Sequence, residues 1–252
     1  MESFLEADDK INNSFYEQYG QRWYTAYDDP VALLRAENKI KFPWIMEHLK
    51  NNLKHGDKIL DVGCGGGFLS NALAEKKYKV TGIDISRESL GVAKAYDVTD
   101  SVEYVHANAF DLPFESGSFD AITAMDFLEH VEYPDAAIKE ISRVLRPEGL
   151  FFFHTFNRNP LSHLVIIKLV EWFIKNTPKN MHVIDLFIRP REMELYCRRS
   201  NLYIMEMTGI RPRFSSIDWK MIKTGVVSPG MEFVLTNGTL LSYLGVARKV
   251  LS

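Results

Sequence analysis

The sequence predicts an α/β fold: a mostly parallel sheet with helices on both faces. Three observations carry this. Short strand candidates alternate with helical patterns over residues 58–155, which implies right-handed crossovers. Those strands are apolar at nearly every position, as strands covered on both faces should be. A glycine cluster, Gly63-Cys64-Gly65-Gly66-Gly67, follows the first strand and opens a helix.

The elements follow in order. Residues 11–27 mix aromatic and polar side chains in a helical rhythm. Residues 31–54 form a longer helix with the apolar stripe Leu34, Ile40, Trp44, Ile45 and Leu49, broken by Lys54-His55-Gly56-Asp57. Strands are expected at 58–62, 78–83, 102–106, 119–123 and 149–155, and helices at 68–76, 87–96 and 135–144. Residues 160–189 interrupt the pattern. Residues 191–201 read as a helix, and 203–208, 211–217, 232–235 and 243–249 as late strand material.

Composition narrows the class. Of 252 residues, 46% are hydrophobic and 25% charged, which excludes a disordered chain, a collagen and a disulfide scaffold. A net charge of −3 argues against a nucleic-acid partner. Cys64 and Cys197 match no zinc or redox spacing, so a reducing cytoplasm is the expected setting. The first ten residues are acidic and lack the features of a signal peptide. No apolar stretch reaches the ~18–20 residues that span a bilayer.

The glycine spacing is GxGxG. Phe68 stands where a dinucleotide turn needs Gly or Ala, and no Lys-Ser/Thr follows to make a P-loop. Asp84 closes the second strand about 20 residues on, placed to accept both hydroxyls of a ribose. Its other reading is a helix N-cap, a role Ser86 could fill.

The ordered segments DVGCGGG (61–67), GID (82–84), ANAFDLPF (107–114), SFDAITAMDFLEHV (118–131) and LRPEGLFFFHT (145–155) are similar to those of class I S-adenosylmethionine-dependent methyltransferases. That resemblance implies a Rossmann-like sheet with an N-terminal helical cap (1–55), a cofactor-binding core (56–155), a helical insert or lid after the fifth strand (156–190) and a C-terminal completion of the sheet (191–252). TFNRNP (155–160), Pro178-Lys179, His182, FIRPREM (187–193) and Trp23-Tyr24 ahead of Leu34-Arg35 resemble the ubiquinone-pathway O-methyltransferases, the UbiG family. Two positions depart from that family: Tyr24 replaces the second of its paired tryptophans, and Asp126 replaces its usual Glu.

The resemblance implies cofactor contacts at Arg35, Gly63, Gly65, Asp84, Asn108, Ala109 and Met125. Arg35 would pair with the methionine carboxylate; its other reading is a surface arginine. Asn108 stands where the family usually has Asp and can accept from the adenine amino group, or simply turn the chain. Met125 would pack on the adenosine or fill core.

The implied acceptor is a phenol or catechol, a polyprenylated ubiquinone precursor. A phenol with a pKa near ~10 needs help to deprotonate at neutral pH. One device is a divalent ion such as Mg²⁺. Asp126, Glu129 and His130 would share one face if a helical turn follows the fourth strand. The alternative makes Asp126 an N-cap with Glu129 in a capping box. The second device is a general base, with His182 and His130 as candidates against a structural role for each.

Residues 161–175 read as a mostly apolar helix with the polar stripe Lys168, Glu171 and Lys175. Residues 158–191 carry a net +4 against −7 for the rest of the chain. Such an insert fits an interfacial helix at an anionic membrane surface, peripheral at its inner face, or a helix buried against core or a second subunit. The sequence assigns no oligomeric state. Two other functions remain open: a methyltransferase for a soluble small molecule, and a silent scaffold of the same fold.

Overall fold

In the computed structural model, which describes residues 11–250, eight strands form one sheet. They are β1 (Lys58–Val62), β2 (Lys79–Asp84), β3 (Glu103–His106), β4 (Phe119–Met125), β5 (Leu145–Phe156), β6 (Leu202–Pro212), β7 (Phe233–Thr236) and β8 (Ser242–Lys249). Their order is β3-β2-β1-β4-β5-β8-β6-β7. The first five strands pair in parallel, and β8, β6 and β7 complete the sheet antiparallel. Residues 1–10, read above as an acidic start without a leader, lie outside the described residues.

The helices are α1 (Arg22–Thr25), α2 (Val31–Asn52), α3 (Phe68–Glu75), α4 (Arg87–Ala95), α5 (Pro134–Val144), α6 (Pro160–Ser162), α7 (Leu169–Phe173), α8 (Pro190–Arg199) and α9 (Trp219–Thr224). Strand alternation sorts the core into two faces. Phe152 of β5 joins Ile59 and Ala121 beneath Ile45, Leu49 and Leu73 of α2 and α3. Phe151 and Phe153 face the other way, with Ile138 and Ile141 of α5 and Met193 and Cys197 of α8. Each of these side chains is almost fully buried, worth roughly 1.5–3 kcal/mol apiece for the larger ones.

The structure differs from expectation at several elements. Residues 11–27 split into a 3₁₀ turn (Ser14–Gln18) and α1, because Gly20 takes a positive φ between them. β5 starts at Leu145, and its register against β4 slips across residues 146–149, where Pro147 and Gly149 interrupt the ladder. The candidates at 203–208 and 211–217 are one strand, β6, followed by a 3₁₀ turn at Phe214–Ser216. The helix expected over 161–175 is α6 and α7 joined by a π-helical stretch, His163–Lys168. No helix of the described residues is long and apolar enough to cross a membrane.

Between β1 and β4 the chain order reverses, since β2 and β3 lie on one side of β1 and β4 and β5 on the other. At such a switch point the loops diverge and leave a crevice beyond the C-terminal strand ends.

Candidate functional site

A cleft of about 880 Å³ opens at that position, over the ends of β1, β2 and β4. Its floor includes Gly63 and Gly65, both at positive φ, which bend the chain away from the sheet and bare the backbone to the cleft. Asp84 enters from the tip of β2. Its Oδ2 accepts from Gly65 N–H at 2.9 Å and its Oδ1 from Ser86 N–H at 2.8 Å, which leaves further lone pairs. Burial pushes its carboxyl above the usual range, against those backbone hydrogen bonds. The N-cap of α4 is Ser86, which accepts from Ser89 N–H at 3.1 Å. Asp84 is thus free of the capping role.

Asp61, in the strand ahead of the turn, also lines the cleft. It is buried and accepts from the Ser70 and Thr123 hydroxyls at 2.6 Å each. Burial pushes its pKa up to about 6, partly offset by those two bonds. Asn108 and buried Ala109 line the far wall; Asn108 Oδ1 accepts from Phe110 N–H at 2.9 Å, so it also turns the chain. Met125 lines the cleft and also packs against the core.

The N-terminal aromatic segment roofs the glycine turn. Trp23 is buried above Gly65 and Gly66, and Tyr16 stacks on it at 5.4 Å and 12°. Tyr24 stacks on Tyr96 at 3.7 Å and donates to Gly66 O at 2.8 Å. Trp23 Nε1 and Ser89 Oγ are buried, belong to cleft-lining residues and have no hydrogen-bond partner among the described residues. Donors left so in a cleft suit a polar ligand.

Arg35 is a correction. Its guanidinium donates to Trp23 O at 2.7 Å and to Ala26 O, closing the carbonyls at the end of α1, and it is not among the cleft-lining residues. Its position on α2 faces the roof, and burial lowers its pKa.

The tip of β4 carries the acidic group. Asp126 lines the cleft with both oxygens 2.7 Å from Lys41 Nζ, and His154 Nδ1 donates to its Oδ1 at 2.6 Å. Lys41 is buried on α2 one turn after Glu37, whose Oε2 lies 2.5 Å from Nζ. Burial pulls the Lys41 ammonium down, but the Asp126 and Glu37 carboxylates more than offset it and its pKa rises. Burial pushes Asp126 up, and Lys41 with His154 carries it well below the carboxylate range instead.

Asp126, Glu129 and His130 do not form the expected metal set. Asp126 has φ +55, and the 3₁₀ turn starts only at Leu128, so the i, i+3, i+4 geometry of an α-helix is absent. Glu129 is fully buried, and its carboxylate oxygens have no hydrogen-bond partner among the described residues. Burial and then the Asp126 charge raise its pKa. His130 Nδ1 faces Asn13 Oδ1 at 3.2 Å. Nor is Asp126 a helix N-cap. These three residues do not come together as a ligand set for a divalent ion.

The two candidate bases sit together, ring centroids 5.3 Å apart. His130 lines the cleft; His182 is not among the lining residues and packs edge-on to Phe156 at 5.0 Å. Burial lowers His130 to about 4 and His182 to about 3, so both are neutral at physiological pH. Sequence reasoning missed Asp61, Lys41, His154 and the roof residues Tyr16 and Trp23. For Asp61 and Lys41 a signal existed: a carboxylate ending an apolar strand, and a Glu–Lys pair at i, i+4 on the apolar stripe of α2.

Comparison with known proteins agrees with this geometry. Residues 60–153 match the methyltransferase domain family. A ubiquinone biosynthesis O-methyltransferase from Azotobacter vinelandii is 36% identical over 201 residues, 77% of this chain and 84% of that one. One of the same name from Burkholderia vietnamiensis is 33% identical over 93% of this chain and 94% of its own. In structure, a Pyrococcus horikoshii protein matches with a TM-score of 0.63 at 22% identity, covering 94% of this chain and 99% of that one. A SAM-dependent methyltransferase from Methanosarcina mazei gives 0.56 at 23%, covering 81% and 98%. The structural likenesses speak to fold. The sequence identity, sustained across most of both chains and joined to a matching methyltransferase domain, places this S-adenosylmethionine-dependent methyltransferase in the ubiquinone biosynthesis O-methyltransferase family.

Proposed function

We propose that the chain methylates a hydroxyl of a phenolic or catecholic acceptor bearing a polyprenyl tail, a ubiquinone precursor such as its relatives' names imply. The observation that carries this is the single cleft in which Asp84 and the glycine turn lie at one end and Asp126 and His130 at the other. S-adenosylmethionine supplies a methyl group already activated on a sulfonium. The chain must align it and manage one proton. Asp84 accepts from the ribose through its remaining lone pairs, Asn108 and Ala109 meet the adenine, and Met125 packs on the adenosine. A neutral His130 takes the hydroxyl proton as the new O–C bond forms, when that oxygen turns strongly acidic. His182 backs the His130 ring.

His130→Ala should lower turnover about 10²-fold while affinity for the demethylated product stays within about twofold. His182→Phe, which keeps the packing on Phe156, should cost less. Equal loss of product affinity and turnover would remove the base role. The assay that tests the function is methyl transfer to catechols with and without short prenyl tails. A clear preference for the tailed acceptors supports it; equal turnover of tail-free catechols favours the soluble-substrate reading.

Asp61 makes the cofactor end pH-sensitive. Its pKa of about 6 lies above the ordinary carboxyl, so between about pH 4 and 6 the folded state holds the extra proton. Stability of the ligand-free protein from this group therefore falls as pH rises through that window. Cofactor affinity moves oppositely, since only the ionised carboxylate attracts a cationic ligand. Calorimetric affinity for S-adenosylmethionine should drop below pH 6 and lose most of that slope in Asp61→Asn, with a residue left by Asp84.

We also propose that the insert meets an anionic membrane. Leu161, Leu164, Trp172 and Phe173 are exposed along the α6–α7 run, and Trp219 and Ile222 are exposed on α9, which packs beside α7. Lys168, Lys175 and Lys223 supply the charge. Flotation with phosphatidylglycerol vesicles should carry the protein upward, less so at high salt and in Trp172→Ser/Phe173→Ser. Absence of flotation by the unaltered protein would end this reading.

A further inference from the structure

Glu37, Asp126 and His154 each place a ligand atom within 4.8 Å of the others. Two carboxylates and an imidazole are a donor set that suits a divalent cation. The set is already engaged by an ammonium. Lys41 Nζ sits 2.7 Å from both Asp126 oxygens and 2.5 Å from Glu37. We propose that Lys41 is the resident cation of the reaction centre, taking the place of a divalent metal among Glu37, Asp126 and His154, so that methyl transfer by this chain runs without a bound metal.

The argument starts on α2. Glu37 and Lys41 lie one helical turn apart on the stripe that also buries Trp44 and Ile45. The stripe faces the sheet, so a four-carbon lysine stem crosses apolar surface and delivers its charge to the end of β4. There both oxygens of the Asp126 carboxylate meet Nζ, and Oδ1 also accepts from His154 Nδ1. A metal among Glu37, Asp126 and His154 would have to displace an ammonium 1% exposed and held by two carboxylates. The other acidic and imidazole groups nearby do not offer a rival set. Glu129 is wholly buried, and the His130 ring is turned to Asn13. Lys41 does not line the cleft, whereas Asp126 does. It is therefore a positioning residue acting through Asp126, which leaves β4 in the left-handed region at φ +55.

The turnover readout rests on the O-methyltransferase reading, whereas the metal-binding readout needs no acceptor. Protein stripped with EDTA is titrated with Mn²⁺, followed by calorimetry and by electron paramagnetic resonance of free Mn²⁺. The unaltered protein should show no site tighter than about 1 mM, and its turnover in EDTA should match that with Mg²⁺. Lys41→Met should gain one Mn²⁺ site and lose turnover about tenfold or more, partly restored by Mn²⁺. The charge-matched Glu37→Gln/Lys41→Met keeps a folded comparison if the single variant is unstable, and should bind Mn²⁺ more weakly than Lys41→Met where both fold. A stoichiometric Mn²⁺ site in the unaltered protein that Asp126→Asn abolishes would overturn the proposal. So would tenfold activation by a divalent ion, or a folded Lys41→Met with unchanged turnover and no Mn²⁺ site. Binding of the demethylated product without transfer to any phenol would sink the acceptor reading alone.

Discussion

Replacing Asp84 with alanine is expected to weaken binding of S-adenosylmethionine and of its demethylated product by about two orders of magnitude. The carboxylate does two things at once. It holds Gly65 N–H and Ser86 N–H, which shape the turn, and in the proposed binding mode it accepts from the ribose hydroxyls. A hydrogen bond to a charged group contributes roughly 1.5–3 kcal/mol, and a backbone donor left unpaired costs roughly 1–3 kcal/mol. Two ribose hydroxyls donating to the carboxylate, each at the low end of the first figure, make about 3 kcal/mol, which is about a hundredfold in affinity, whereas the second figure falls on the ligand-free protein as well. Asp84→Asn keeps one acceptor and should lose less, about tenfold. The ligand-free protein should lose about 1 kcal/mol, because Gly65 N–H and Ser86 N–H lose their acceptor while removal of a carboxyl disfavoured by burial offsets part of the cost. The signature is therefore a lost ligand-induced thermal shift, measured from the variant's own slightly lower midpoint. Unaltered affinity in Asp84→Ala would place the cofactor elsewhere.

What could be read in advance divides along the distance over which each feature is determined. The parallel half of the sheet follows from local patterns: apolar runs of strand length, each followed by a helical rhythm. The glycine turn and Asp84 belong to the same short segment and were legible for that reason. Late strands were harder. Gly209 inside β6 reads as a break, yet it is required because Gly238 O approaches too closely for any side chain. The site at β4 failed differently. Three residues at helical spacing looked like one ligand face, but the spacing carries meaning only on a helix, and Asp126 leaves the strand with φ +55. Lys41 and Asp126 are 85 positions apart, and no periodicity links them. The charged pair on the apolar stripe of α2 was a clue that something ionic lay beneath. Its partner could come only from the folded chain.

Gly67→Ala is expected to destabilise the fold by about 2–4 kcal/mol and to weaken cofactor binding with it. Gly67 is the N-cap of α3 at φ +80 and ψ 18. A Cβ in the left-handed region costs roughly 1–2 kcal/mol. It would also stand 2.7 Å from Ala93 Cβ, 3.1 Å from Ala93 Cα and 2.5 Å from the Tyr104 hydroxyl. Ala93 is fully buried on α4, and Tyr104 is tied to Asn71 Oδ1 at 2.6 Å, so neither neighbour gives way alone. Relief requires α4 to move off the turn, and overpacking of this kind typically costs about 1–3 kcal/mol. Because α4 also carries Ser89 into the cleft, the same movement reaches the ligand. Urea unfolding should show a lower midpoint at unchanged slope. Gly91→Ala, on the same helix with open space around its Cβ, supplies the contrast. There alanine only restricts the unfolded chain and improves helix propensity, so stability should hold or rise by up to about 1 kcal/mol. If both variants behaved alike, the turn would not be pressed against α4, and the close approach that opens the cleft would have another cause.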